Sequence, residues 1–320
     1  MSWFQADGYV LTGLPAEWEP PGPAGAGRAA AEGLLQDRER DRKLAMLTCL
    51  SQHRWMTTTE VEALFFTSSR GAQRQLRRLE EWGLVHRGHR TDPHVGGNWR
   101  KYPDLFLLSA RGAWVLAHSQ RTEPQELIRR AFYAFSNRLH ILHGVGVNDF
   151  FASLVRASRE LPDQGLYHWV GDDSTRRKFQ EQGEDIAPDG WGRYLTESEE
   201  IYFYLEWDRG TEPSARLRAK AAAADHAGHH VLWVAPSPAR EQGIRSALQA
   251  SNSQGTSWTT HIGQLQEHGP LGEIWQPGPG DGHRQRLTEL PGRPRSERQL
   301  EDCLGRPGWW LRRPGGTEGM

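Results

Sequence analysis

The sequence predicts an α/β chain, α+β overall, built from two dissimilar domains, and three observations carry that expectation. Apolar residues recur at helical spacing over residues 37–83 and are followed by two β-prone runs. Over residues 120–275 helical and β-prone runs alternate, the pattern of a compact α/β domain with a mixed sheet. Both ends of the chain are rich in Pro and Gly, a composition that buries little apolar surface.

A length of 320 residues suffices for two modest domains with a core each. No run approaches the roughly 20 apolar residues that span a bilayer, and the amino terminus lacks a signal pattern, so no membrane association is expected. Cys49 and Cys303 stand far apart and suggest neither a disulfide framework nor a thiolate metal site, so a cytoplasmic protein is expected. The formal net charge of −1 conceals an uneven distribution. Residues 37–117 carry 14 Lys and Arg against nine Asp and Glu, whereas residues 160–212 carry five against 14. A basic segment followed by an acidic one assigns them different tasks, the first suited to a polyanion.

Residues 1–36, with the stretch PPGPAGAGRAAAEG, read as a flexible leader. Residues 37–51 place Leu44, Leu47 and Thr48 at helical spacing, beside Cys49 and Leu50. Thr58 is expected to cap a short helix, TEVEALFF, with Val61, Leu64 and Phe65 on one face. Ser68 or Ser69 caps a third helix, RGAQRQLRRLEEWG, whose apolar positions are Ala72, Leu76 and Leu79 and which Gly83 stops. LVHRGHR and DLFLLS read as strands joined by a polar segment, and ARGAWVLAH as a short helix after them. Three helices closing on a hairpin over residues 37–119 form the winged-helix arrangement.

Arg70, Arg74, Arg77 and Arg78 fall on or near the helix face opposite Ala72, Leu76 and Leu79. Guanidinium groups three and four residues apart can reach successive phosphates and guanine edges of duplex DNA. His89, Arg90, Arg100 and Lys101 add positive charge to the hairpin, as a wing following the backbone requires. The plainer reading is a solvated helix face in which Glu80 and Glu81 pair with some of the arginines.

In the second domain, residues 121–159 read as largely helical and LYHWV (166–170) and IYFYLEW (201–207) as strands. A helix over 216–227, a buried strand HVLWVAP (230–236) and a helix over 239–249 follow. Residues 276–320 read as a largely disordered tail, with Trp309, Trp310 and Leu311 as apolar residues able to dock. Three places carry chemistry. IAPDG sets Asp189 between turn-forming residues; LEWDRGTE ends the strongest strand with Glu206 and Asp208 on one face; Lys220 lies on the helix that follows. Carboxylates converging from adjacent strands can hold Mg²⁺, which activates water and stabilises charge on a phosphoryl oxygen. Taken singly, Asp189 is an ordinary turn residue and Asp208 an ordinary strand-end charge or partner of Arg209. His143, with Asn148, reads as a packed core residue, and the group His226, His229 and His230 as a surface feature.

RQLRRLEEWGLVHR, LSARGAWVLA, HGVGVNDFF, IAPDG, YLEWDRGTE with Lys220, VLWVAPS and GPLGEIW occur in that order between Lys43 and Trp275, LEWDRGT being the most specific. With these motifs the chain resembles the replication-relaxation family of bacterial proteins, many linked to plasmids or other mobile genetic elements. The resemblance implies a winged helix followed by a restriction-endonuclease-like domain of the PD-(D/E)XK type. It makes Pro188-Asp189 the source of the first metal-binding acid, Glu206 the second, and Asp149 an additional helical acid. Where that pattern has a lysine this chain has Asp208. Either Lys220 takes over that lysine's role from the neighbouring helix, or the site does not cleave.

Three functions follow as expectations. The first is a protein that binds double-stranded DNA through the winged helix and keeps a nuclease-like domain for structure or binding. The second is a Mg²⁺-dependent endonuclease or nickase with Asp189, Glu206 and Lys220 as its catalytic residues and Asp189, Glu206, Asp208 and Asp149 as metal ligands. A third is an adaptor that contacts replication or conjugation proteins.

Overall fold

The computed structural model describes residues 10–12, 32–34, 36–91, 104–136, 141–171, 175–176, 179, 181, 187–225, 230–250, 256–278, 282–295 and 300–312. The chain divides into two compact units, one of Ala6–Val145 with Gly305–Met320 and the other of Met1–Gln5 with Gly146–Leu304. The division therefore falls at Gly146 rather than at residue 120.

The first unit comprises β1 (Val10–Thr12), α1 (Arg40–His53), β2 (Met56–Thr57), α2 (Thr58–Phe65), α3 (Ser69–Glu81), β3 (Val85–Thr91), β4 (Leu105–Leu108), α4 (Ala110–Gln120) and α5 (Pro124–Ser136). The expected hairpin, β3 with β4, forms the middle of a four-stranded antiparallel sheet ordered β1-β3-β4-β2. One of its edge strands, β1, comes from the segment expected to be only a flexible leader, and Leu34 from the same segment is buried.

Thr57, one residue before the expected Thr58, caps α2. Its side chain accepts from the Glu60 amide at 3.1 Å, and the Glu60 carboxylate accepts from the Thr57 amide at 2.7 Å, a capping box. Ser68 caps α3, and Ala72, Leu76 and Leu79 are fully buried as the periodicity predicts. Gly83, at φ +66°, ends α3 as expected. Its amide reaches the Glu80 carbonyl and that of Leu84 the Leu79 carbonyl, the paired bonds of a Schellman motif.

The stretch 121–159, expected to be largely helical, holds α5 and α6 (Ile141–Ser158). The second unit continues with β5 (Gly165–Gly171), β6 (Gly190–Leu195), β7 (Glu199–Trp207), α7 (Ser214–Asp225), β8 (His230–Ala235), α8 (Pro238–Ala250), β9 (Ser257–His261), α9 (Ile262–His268), β10 (Gln276–Pro277) and β11 (Arg293–Pro294). Its mixed sheet has the order β10-β9-β8-β7-β6-β5, with β11 beside the start of β7. β7, β8 and β9 run parallel and the remaining pairs antiparallel.

Along β7, Ile201, Phe203 and Leu205 are fully buried, and Phe203 packs on Phe150 and Phe151 of α6. Gly146 admits α6 to this layer, since a Cβ there would lie 2.5 Å from the Trp207 ring. The opposite side of β8 is covered by α7 and α8, where Leu217, Ile244 and Leu248 pack with Val231, Trp233 and Ala235. The tail expected to be disordered instead supplies β10 and β11, and Leu287, Leu290, Cys303 and Leu304 are buried. The chain ends its described part in α10 (Trp309–Arg312), which belongs to the first unit. There Trp309 is buried, its indole N–H donates to the Leu64 carbonyl at 2.8 Å, and its ring faces Phe65. Among the described residues no helix is long and apolar enough to cross a membrane.

Candidate functional site

In the first unit the candidate surface is the outer face of α3. With Ala72, Gln75, Leu76 and Leu79 turned inward, Arg70, Gln73, Arg74, Arg77 and Arg78 are exposed. Arg77 pairs with Glu81 one turn on, at 3.1 Å between two exposed side chains, an interaction weak enough to yield to a phosphate. Arg70 and Arg74 form no ion pair among the described residues.

Arg78 is different. Its Nη2 lies 3.1 Å from Asp37 Oδ2 and its guanidinium rests over the Trp82 ring at 4.9 Å. Asp37 also accepts from the fully buried Lys43 ammonium at 2.7 Å. Burial would raise the Asp37 carboxyl, but its hydrogen bonds from Lys43 and the Glu39 amide, with the charges of Lys43 and Arg78, hold it below the ordinary value. Gln75 bonds Glu39, so the segment before α1 grips α3 at two points. Arg100 and Lys101 lie outside the described residues, as do the side chains of His89 and Arg90.

In the second unit the structure brings Asp189, Glu206 and Lys220 together. Asp189 precedes β6, its amide bonded to the Leu205 carbonyl at 2.9 Å and its carboxylate accepting from the Trp207 amide at 2.8 Å. The turn residue is thus fastened to β7 on both sides of Glu206. Lys220, two turns into α7, donates to Glu206 Oε2 at 2.7 Å and lies 3.1 Å from Glu212 Oε1. Burial, then the Asp189 charge, push Glu206 up to about 8 against the opposing pull of Lys220. Burial would lower the Lys220 ammonium, but Glu206, Asp189 and Glu212 outweigh it and keep it protonated above its ordinary range. One ammonium faces three carboxyl groups, and burial with the Asp189 charge tilts Glu206 towards its protonated form.

Asp208 turns to another cation. Arg240 at the start of α8 forks onto it with contacts of 2.6 and 3.0 Å and also donates to the Glu212 carbonyl at 2.7 Å. That bond, with burial opposing it, holds the Arg240 guanidinium above its ordinary value. Asp149 is half-buried on α6, Asn148 is buried beside it and His143 is half-buried. Among the described residues no group of three or more His, Cys, Asp or Glu side chains is placed to hold a metal ion. His230 is half-buried with both ring nitrogens engaged: Nδ1 accepts from the Trp258 indole at 3.1 Å and Nε2 meets the Pro291 carbonyl at 2.7 Å. His226 and His229 lie outside the described residues. Sequence reasoning missed Glu212 and Arg240. Glu212 closes the LEWDRGTE motif and carried a signal, whereas Arg240 joins the site only through the packing of α8.

A family model described as replication-relaxation matches residues 47–233, more than half of the chain, a range that contains α3 as well as Asp189, Glu206 and Lys220. No curated protein and no solved structure matches the chain.

Proposed function

The chain belongs to the replication-relaxation family, and on that premise we propose that it acts on DNA in a replication-related process, binding the duplex through its first unit, read as a winged helix. The observation that carries this reading is the exposed guanidinium row of Arg70, Arg74 and Arg77 opposite the buried Ala72, Leu76 and Leu79. Arg78, fixed by Asp37 and Trp82, adds a guanidinium of set orientation. In a winged helix the helix before the hairpin enters the major groove, and these side chains would meet phosphates and base edges. Arg90, Arg100 and Lys101 would serve the wing, and plasmid or mobile-element replication or conjugation proteins are the partners such a role implies. Duplex affinity measured against salt concentration tests the reading. R74A/R77A should weaken binding and reduce the slope of log K against log salt by about two. Unchanged affinity and slope would remove α3 as the contact.

A second reading is favoured by one observation, the convergence of the Asp189, Glu206 and Glu212 carboxyl groups around Lys220. In it the second unit is a PD-(D/E)XK-type nuclease domain in which Asp189 and Glu206 would hold Mg²⁺. Bound there, the ion would supply an activated water and stabilise phosphoryl charge. Lys220 would orient the attacked phosphate in place of the missing strand lysine, with Asp149 as a further acid. Asp208, neutralised by Arg240, fits this ligand set less well. Nicking of supercoiled plasmid with Mg²⁺ or Mn²⁺ above the level of a D189A control is the outcome this reading requires.

A further inference from the structure

The face of β7 that carries Glu206 also carries Glu200, Tyr202 and Tyr204, since alternate residues of a strand share a side. The register sets Trp191 and Arg193 of β6 opposite Tyr204 and Tyr202, and His168 of β5 opposite Arg193. Unlike the apolar side of the same strands, this row is half-exposed: His168, Trp191, Arg193, Tyr202 and Tyr204 all keep access to solvent.

Its side chains are held in place. Glu200, buried beneath, accepts from the Tyr202 hydroxyl at 2.6 Å and lies 3.4 Å from Arg193 Nε, while Arg193 also bonds the Tyr202 hydroxyl. The Arg193 guanidinium stands 4.5 Å over the Tyr202 ring, and Trp191 contacts both Tyr202 and His168 edgewise or tilted. Arg293, exposed on β11, reaches the same ring at 5.5 Å. Burying Glu200 costs desolvation, which its two partners offset, and the result is a fixed set of mutually tilted rings and a guanidinium with few rotamers left to lose.

We propose that this face is a stacking platform for the unpaired bases of single-stranded DNA. Planar aromatic groups interleaved with guanidinium charge suit a polyanion whose bases are free to stack, and a duplex keeps its base faces hidden. The acid of the patch, Glu200, is buried and neutralised by Arg193, so the net positive charge of the face comes from Arg293 at its edge. The platform ends along β7 at Tyr204, whose ring meets Phe179 edge-on and packs against the apolar cluster under α7 and α8. The proposal rests on the reading of the chain as a DNA-binding protein but not on α3.

The test is fluorescence anisotropy of labelled oligothymidylate and of a labelled duplex with the full chain. Wild type should bind oligothymidylate, W191L should bind it about tenfold more weakly, and W191F, which keeps a stacking ring, should stay near wild type. R293A removes an exposed side chain that the fold does not need, and it should weaken the same complex several-fold even if W191L fails to fold. R74A/R77A should retain oligothymidylate binding while losing duplex affinity, which separates the platform from the α3 reading. Absence of oligothymidylate binding by wild type, or equal affinity in W191L and R293A, would overturn the platform. So would a wild-type dimer that W191L converts to monomer, because the face would then belong to a second copy of the chain.

Discussion

Lys220 reaches Glu206 from the helix that follows its strand, with Nζ 2.7 Å from Oε2 and both side chains nearly out of water. Lys220 also offsets the buried Asp189 charge, so K220M leaves that charge uncompensated and should cost about 3–5 kcal/mol in urea unfolding. E206Q should cost far less. The Glu206 carboxyl already favours its neutral form, and Lys220 keeps Glu212 at 3.1 Å. Because either substitution breaks the same hydrogen bond, E206Q/K220M should lose less than the sum of the two single effects, and strict additivity would show that the pair is not coupled.

The same carboxyl sets a pH dependence whose sign is fixed. Folding raises Glu206 from about 4.5 to about 8, so between those values the folded chain holds a proton that the unfolded chain has released. Its contribution to stability therefore falls as pH rises from about 4.5 to 8. The difference in Tm between E206Q and wild type should be small near pH 5 and grow in favour of E206Q towards pH 8. A flat difference would mean that Glu206 is ionised throughout.

Periodicity exposed what depends on neighbours along one element. The inward stripe Ala72, Leu76 and Leu79 and the Gly83 stop were legible because a helix dictates both. The alternation that buries Phe203 and Leu205 also placed Glu206 beside Tyr202 and Tyr204. Partners brought together by packing were not legible. Arg78 reads as another free cation of α3 until Asp37 arrives from the segment before α1, and Asp208 reads as a ligand until α8 delivers Arg240.

GWGRYL was unreadable as a strand because its glycines lower β propensity. They stand where the Phe151 and Phe203 rings come close, with a Cβ at Gly192 only 2.4 Å from Phe203. SWTTH looks polar, yet Thr259 and Thr260 are wholly buried. In the tail, the Pro and Gly content masked Leu287, Leu290, Cys303 and Leu304, while Trp309 and Leu311 were legible as apolar residues able to dock.

Trp309 is the clearest of these, and its docking makes the last prediction. The side chain is completely buried, its ring lies 5.5 Å from that of Phe65, and its N–H satisfies the Leu64 carbonyl at the end of α2. W309A removes the apolar transfer, leaves a cavity and strips that carbonyl of its donor, so a loss of about 3–5 kcal/mol is expected. W309F keeps most of the ring contact and should lose much less. Leu311 is 62% exposed, so a chain ending at Leu304 should be destabilised about as much as W309A. Hydrogen exchange at the Val61, Leu64 and Phe65 amides assigns the loss to the first unit. Protection there equal to wild type in the truncated chain would mean that the tail rests on α2 without supporting it. Loss of protection would make Trp309 a core residue of the unit that presents α3.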